Sequence, residues 1–220
     1  LLMEELIRLS HTHLCFTPSE QFRDFPLDYQ AHEPVVFGSF NNFAKVTDEM
    51  LGVWLRILRA VPGSRLLLKN VSPRTEPLER MWKRALRLGF LPEQLDLRPA
   101  TPDYLNDYRE LDIALDTYPY PGGATTCEAL YLGIPVINLR GTRHGARFGY
   151  SLLKNIGLEE LSAATKEDYI ACAVALAKQP ELLQGLHETL RGMLQHSPVM
   201  QGQQYVREVE QAYEEIWAAW

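Results

Sequence analysis

The feature that most constrains the fold is a regular alternation of short apolar runs with amphipathic stretches between residues 35 and 139. Five runs read as buried strands. They are Val35-Val36-Phe37-Gly38-Ser39-Phe40, Arg65-Leu66-Leu67-Leu68-Lys69, Leu95-Asp96-Leu97-Arg98, Asp112-Ile113-Ala114-Leu115-Asp116 and Pro135-Val136-Ile137-Asn138-Leu139. The intervals predict helices over 48–60, 76–88, 103–109 and 125–132. In the first of these, Met50, Leu51, Trp54, Leu55 and Leu58 share one face, and Thr47 or Asp48 can cap it. Pro62-Gly63, Gly89 and Gly133 close three of the four. Strands separated by helices must run parallel through right-handed crossovers. The sequence therefore predicts an α/β fold, a Rossmann-like doubly wound parallel sheet of about five strands. A helical tail follows, with pieces over 147–155, 166–178, 180–194 and 203–220.

Residues 1–34 do not fit this repeat. They hold an expected short helix over 4–9, the apolar run Leu14-Cys15-Phe16 and the connector Phe25-Pro26-Leu27. They read as the end of a preceding domain, with 35–220 as the unit that follows. The absence of an initiator methionine at Leu1 agrees with a fragment.

Composition excludes several classes. No window approaches the ~18 consecutive apolar residues of a membrane helix, and the N-terminus lacks the pattern of a secretory leader. Cys15, Cys127 and Cys172 lie far apart with no CxxC pair. That argues against a disulfide scaffold or a zinc site and suits a cytoplasmic protein. The net charge of −6 argues against general nucleic-acid binding. Residues 54–98 carry ten Lys/Arg against four Asp/Glu, and residues 157–220 the reverse, four against ten. The basic stretch is either a set of solvated helix faces or the flank of a site for an anion.

Open parallel sheets bind ligands beyond the carboxyl ends of their strands, and four such ends carry suggestive residues here. Gly38-Ser39-Phe40-Asn41-Asn42-Phe43-Ala44-Lys45 is a small-residue turn with a lysine that either offers a compact charge to a phosphate or is a solvated loop residue. In Gly122-Gly123-Ala124-Thr125-Thr126-Cys127-Glu128, a glycine turn opens a helix. The amides at Ala124, Thr125 and Thr126 would face outward at the positive end of the helix dipole, which favours a diphosphate. Gly122 and Gly123 allow close backbone approach. Glu128 can accept bonds from ribose hydroxyls or act in an ordinary capped helix start. Arg140-Gly141-Thr142-Arg143-His144-Gly145-Ala146-Arg147 can hold phosphate, gate a cleft or be a solvated basic loop. Arg98-Pro99-Ala100-Thr101-Pro102-Asp103-Tyr104 lies where backbone groups would read a base. No metal is required, since no Asp-x-Asp stands free in a loop and Asp112 reads as a structural cap or partner.

Taken together, Phe37-Gly38-Ser39-Phe40-Asn41-Asn42-Phe43-Ala44-Lys45, Leu115-Asp116-Thr117-Tyr118-Pro119-Tyr120, Gly123-Ala124-Thr125-Thr126-Cys127-Glu128-Ala129-Leu130, Gly133-Ile134-Pro135-Val136 and Arg143-His144-Gly145-Ala146-Arg147 resemble the C-terminal catalytic lobe of the O-GlcNAc transferase/SPINDLY family. The resemblance implies one lobe of a GT-B glycosyltransferase, metal- and cofactor-independent and inverting. It implies transfer of GlcNAc from UDP-GlcNAc to protein Ser/Thr, or use of another nucleotide sugar such as GDP-fucose or UDP-glucose. The missing partners would be an N-terminal lobe supplying acceptor contacts and the base, and tetratricopeptide repeats upstream. Lys45 would be the catalytic cation on the leaving diphosphate. Asn42, Ala100, Tyr104, Gly123, Ala124, Thr125, Thr126, Glu128, His144 and Arg147 would bind the donor. The chain departs from the family pattern at Tyr104, where a histidine is usual, and at Ala124, where a threonine is usual. A degenerate, non-catalytic module that binds a protein partner is the alternative.

Overall fold

The structure is a computed structural model that describes residues 6–220. A six-stranded, wholly parallel sheet runs through β1 (Val36–Ser39), β2 (Arg65–Lys69), β3 (Leu95–Arg98), β4 (Ile113–Leu115), β5 (Val136–Leu139) and β6 (Ser162–Ala163), in the order β3-β2-β1-β4-β5-β6. This is the expected doubly wound sheet, with one strand more than the sequence announces. β6 is two residues long and pairs Asn138 with Ser162 and Leu139 with Ala163. A run that short leaves no period to read. The order reverses between β1 and β4, where Phe37 lies opposite Ile113 and Gly38 opposite Ala114. A crevice therefore opens beyond the carboxyl ends of these two strands.

The helices are α1 (Glu20–Arg23), α2 (Asp48–Ala60), α3 (Glu76–Leu88), α4 (Tyr104–Asp107), α5 (Ala124–Tyr131), α6 (Phe148–Asn155), α7 (Lys166–Ala177), α8 (Pro180–Gln195) and α9 (Gly202–Ala219). Thr47, not Asp48, caps α2: its Oγ1 accepts from the Met50 amide at 3.1 Å. The five apolar residues assigned to the inner face of α2 are all buried. Gly89 closes α3 at φ 98°. α2 packs on α3 and α7, and the Trp54 indole donates to Tyr169 Oη at 3.2 Å across that seam. α5 packs on α8.

The helix expected over 4–9 is not formed at Leu6–Leu9, and Glu4 and Glu5 lie outside the described residues. Among the described residues the one helix before β1 is α1, too short to show a period. Residues 6–34 instead run over the surface of the sheet unit, held by donors at intervals. The Phe16 amide donates to Val199 O at 2.8 Å and Arg191 to Phe25 O at 3.0 Å. Asp112 is structural, as its position suggested. It is fully buried and accepts from the Tyr29 hydroxyl at 2.7 Å, the His32 amide at 3.1 Å and the Val36 amide at 2.6 Å.

Gly133, at the end of α5, has φ 83°, and a Cβ there would lie 2.6 Å from the carbonyl oxygen of His187 in α8. Backbone cannot yield as a side chain can. Gly133→Ala is expected to destabilise the fold by roughly 2–4 kcal/mol, the sum of left-handed strain and overpacking. Urea unfolding will show this as a lower midpoint at unchanged slope; an unchanged midpoint would contradict the α5–α8 contact.

Candidate functional site

The two loops at the crevice meet. After β1, Asn42 caps a short turn with its Oδ1 accepting from the Ala44 amide at 2.9 Å, and Lys45 ends that turn. After β4, Asp116 shapes the second loop. Its buried carboxylate accepts from the amides of Thr117 at 2.8 Å and Gly122 at 2.7 Å and from the Asn138 side chain at 2.9 Å. The curl presents the Pro121 carbonyl to Lys45 Nζ at 3.2 Å and the Tyr120 ring face to it at 4.5 Å. Asn41 joins the halves: its Oδ1 accepts from Lys45 Nζ at 3.3 Å and from Thr125 Oγ1 at 3.2 Å. The lysine ammonium and the tip of α5 therefore face the same spot.

Gly123 is the N-cap of α5, so neither Thr125 nor Ala124 is, and Glu128 makes no capping bond. The first helical amide bond is from Cys127 to Gly123 O at 3.1 Å. The amides of Ala124, Thr125 and Thr126 precede it and are the orphan donors of a helix start. The two glycines serve different ends. A Cβ on Gly122 would lie 2.5 and 2.6 Å from the hydroxyls of Thr126 and Thr125, whereas one on Gly123 would meet nothing within 4 Å. Gly122 makes room for the threonines, and the space before Gly123 is open.

Beside this tip lies a cleft of about 270 Å³. Phe40, Lys69, Asn70, Val71, Ala100, Thr101, Tyr104, Tyr108, Thr125 and Glu128 line it. Lys69 is nearly buried and donates to Pro99 O at 2.8 Å and Thr101 Oγ1 at 2.9 Å, with Asp107 at 2.7 Å, which fixes the loop after β3. Asn70 Oδ1 accepts from the Phe43 amide at 3.2 Å and fixes the loop after β1. Phe22 from α1 backs Tyr104 at 6.2 Å between ring centroids, and Phe40 backs Tyr108 at 4.4 Å. Of the basic stretch over 54–98, Lys69 is the cation lining the cleft. Arg84 and Arg87 pair with Asp48, and Arg98 with Asp96, Asp107 and Glu110. With Arg56 and Arg65 also paired, to Glu167 and Glu110, half of that charge is held in ion pairs outside the cleft.

Of the expected site residues, Ala100, Tyr104, Thr125 and Glu128 share this cleft; Lys45 is joined to Thr125 through Asn41, and Gly123, Ala124 and Thr126 adjoin Thr125 at the start of α5. Asn42 is exposed in the lysine loop, and its neighbour Asn41 is the amide that touches Lys45. His144 and Arg147 line a different cleft, with His13 and Phe148. Sequence reasoning passed over Asn41, Asp116, Lys69 and Tyr108. Asn41, Asp116 and Lys69 stand within a few residues of a strand's carboxyl end, the signal that could have marked them; Tyr108 lies well past the end of β3 and carries no such signal. Among the described residues, no three His, Cys, Asp or Glu side chains gather as a metal-ligand set, and no helix is long and apolar enough to cross a membrane.

Burial lowers the pKa of Lys45, and the charge of Asp116 opposes that shift. Asp116 is pushed up to about 6 by burial, against its three donors. Burial pushes Glu128 up to about 7, with a weaker opposing bond from the Tyr108 hydroxyl at 3.4 Å.

Comparison with known proteins follows these residues. Residues 22–209 match the family model described as Glycosyl transferase family 41. The chain is 39% identical over 220 residues to a probable UDP-N-acetylglucosamine–peptide N-acetylglucosaminyltransferase SPINDLY of Solanum lycopersicum. That match covers 98% of this chain and 24% of the relative, so the chain spans about a quarter of the relative's length. A UDP-N-acetylglucosamine–peptide N-acetylglucosaminyltransferase of Caenorhabditis elegans is 25% identical over 187 residues, covering 84% of this chain and 16% of the relative. Among solved structures, a mutant O-GlcNAc transferase of Thermobaculum terrenum superposes with a TM-score of 0.86 at 35% identity, covering 97% of this chain and 41% of that one.

A carboxylate whose native pKa is raised keeps its proton where the unfolded chain has lost it, so its contribution to stability falls as pH rises, for Glu128 from about 4.5 to about 7. Glu128→Gln removes this cost. The variant should gain stability relative to wild type on going from about pH 4 to about pH 8, read from urea midpoints. A difference that does not change with pH would contradict the burial of Glu128.

Proposed function

The chain belongs to glycosyl transferase family 41, and on that premise we propose that it is the nucleotide-sugar-binding lobe of an inverting transferase. The donor is UDP-GlcNAc and the acceptor a Ser/Thr hydroxyl of a polypeptide. One observation carries the reading: Lys45 Nζ and the Thr125 hydroxyl share the Asn41 amide oxygen, so a cation and a helix tip converge on one position.

In this reading the base lies in the cleft against Tyr104 and the backbone at Ala100, with ribose hydroxyls donating to ionised Glu128. The diphosphate takes the amides of Ala124, Thr125 and Thr126 on one side and Lys45 on the other, with Gly123 leaving room for it. Asn42 reaches the same phosphates from the exposed side of the turn. When the acceptor oxygen bonds to the anomeric carbon, the bond from that carbon to the diphosphate oxygen breaks, and negative charge builds on the diphosphate. Lys45 and the helix tip stabilise that charge as it develops. Lys45 suits this work because partial burial strips it of water, while Asp116 and the Tyr120 face keep it charged. The reading assigns the stabilisation of that charge to Lys45 and the helix tip, without a metal ion. The alanine at 124 removes a hydroxyl but leaves the backbone donor.

In this reading residues 1–34 are the end of a preceding lobe and its connector, the described part lying on the donor lobe formed by 35–220. That other lobe supplies the group that takes the acceptor's proton, with tetratricopeptide repeats beyond it.

Calorimetry on the chain with UDP, UDP-GlcNAc, GDP and GDP-fucose tests the reading. UDP and UDP-GlcNAc should bind, and Lys45→Ala should weaken them about tenfold or more, as expected for loss of a charge-assisted contact. No binding of any nucleotide, or a Lys45→Ala variant that binds like wild type, would contradict it. Tighter binding of GDP and GDP-fucose would keep the lobe and change the donor.

A further inference from the structure

A second cleft, of about 830 Å³, lies where residues 6–13 cross the loop after β5 and the start of α6. Its ionisable lining is Arg8, His11, His13, His144, Arg147, Tyr150 and Lys154; among the described residues no Asp or Glu lines it, although Glu208 pairs with His11 from outside. The chain as a whole carries 28 acidic residues against 22 Lys and Arg. Such a sign reversal sets up a local potential that favours anions.

Two further observations point the same way. Arg140, Arg147 and Lys154 crowd the ring of Tyr150, at 4.9, 4.8 and 5.7 Å from its centroid. Among the described residues the acid that reaches this trio is Glu159, 3.4 Å from Lys154. Arg147 donates to Gly141 O at 3.3 Å and makes no ion pair among the described residues. His13 stacks on Phe148 at 4.5 Å and meets His144 edge-on at 5.8 Å, and its Nε2 is buried with no hydrogen-bond partner among the described residues. A buried polar atom without a partner is a cost that a ligand can remove.

The position of the cleft follows from strand order. The base wall comes from the loops after β2 and β3, and the phosphate groups from those after β1 and β4. The next strand is β5, whose loop brings Thr142, His144 and Arg147. The two regions are contiguous, since a Cβ at Gly141 would lie 3.2 Å from the Tyr118 ring in the loop after β4. With neighbouring strands ~4.8 Å apart, a donor laid across the sheet edge points its sugar toward β5. The acceptor must approach from that side.

We infer that this cleft binds an acidic stretch of the acceptor polypeptide, flanking the hydroxyl that receives the sugar. The inference rests on the transferase reading above and assigns His144 and Arg147 to the acceptor side instead of the donor side.

Fluorescence anisotropy on the chain tests it, with a labelled Ser/Thr peptide flanked by aspartates and the same peptide carrying asparagines. The aspartate peptide should bind about tenfold tighter or better, and the preference should shrink as salt is raised. Arg147→Glu combined with Lys154→Glu should abolish the preference and leave UDP affinity unchanged. Both side chains are exposed, so the fold is kept. Equal binding of the two peptides would overturn the inference, as would a preference that survives the charge reversal or displacement of the peptide by UDP. A peptide preference in a chain that binds no nucleotide would sink the transferase reading and leave the ligand class of the cleft standing.

Discussion

The buried carboxylate of Asp116 is the interaction on which the site depends. A carboxylate taken out of water is costly unless donors replace the lost hydration. Here the donors are the two loop amides and the Asn138 side chain, and satisfying them fixes the chain from Thr117 to Gly122 in one curl. Asn138 in turn accepts from Ser162 in β6 at 2.8 Å, and the Asp116 carbonyl accepts from Tyr169 of α7 at 3.1 Å. The curl is thus tied to β5, β6 and α7 before any ligand arrives. Gly149 belongs to the same network, because a Cβ there would lie 2.9 Å from the Asp116 carboxylate. Preorganisation of this kind is what the proposed role of the lysine and the helix tip requires, since neither would first have to move.

The end of β2 plays the matching part on the other side. Lys69 and Asn70 are adjacent, and each pins a different loop: Lys69 the stretch around Ala100, Asn70 the stretch around Lys45. The loops around Ala100 and Lys45 are therefore referenced to one strand end. Phe22 of α1 also backs Tyr104, so the segment before β1 contributes to the cleft wall although it adds no strand.

Much of this was legible in the sequence, and the physical reason is burial. Parallel strands covered on both faces must be continuously apolar, so Val36 to Ser39 and Leu66 to Leu68 announce themselves. The α2 face and the Gly89 stop follow from helical period and left-handed backbone. The convergence of Lys45 with α5 follows from where parallel strands end. What stayed hidden were polar residues whose roles are set by tertiary neighbours. Asp116 and Asp112 look alike on either side of β4, yet one shapes the site and the other holds residues 29–36. Asn41 and Asn42 are adjacent and chemically identical, and only the turn decides which one faces Lys45. Local spacing cannot tell that His144 and Arg147 lie across from His13, more than a hundred residues earlier.

The most direct measurement is a crystal structure of the chain grown with UDP. The account expects the diphosphate between Lys45 Nζ and the amides of Ala124, Thr125 and Thr126, with the ribose against Glu128. A diphosphate bound elsewhere, with that position filled only by solvent, would contradict it.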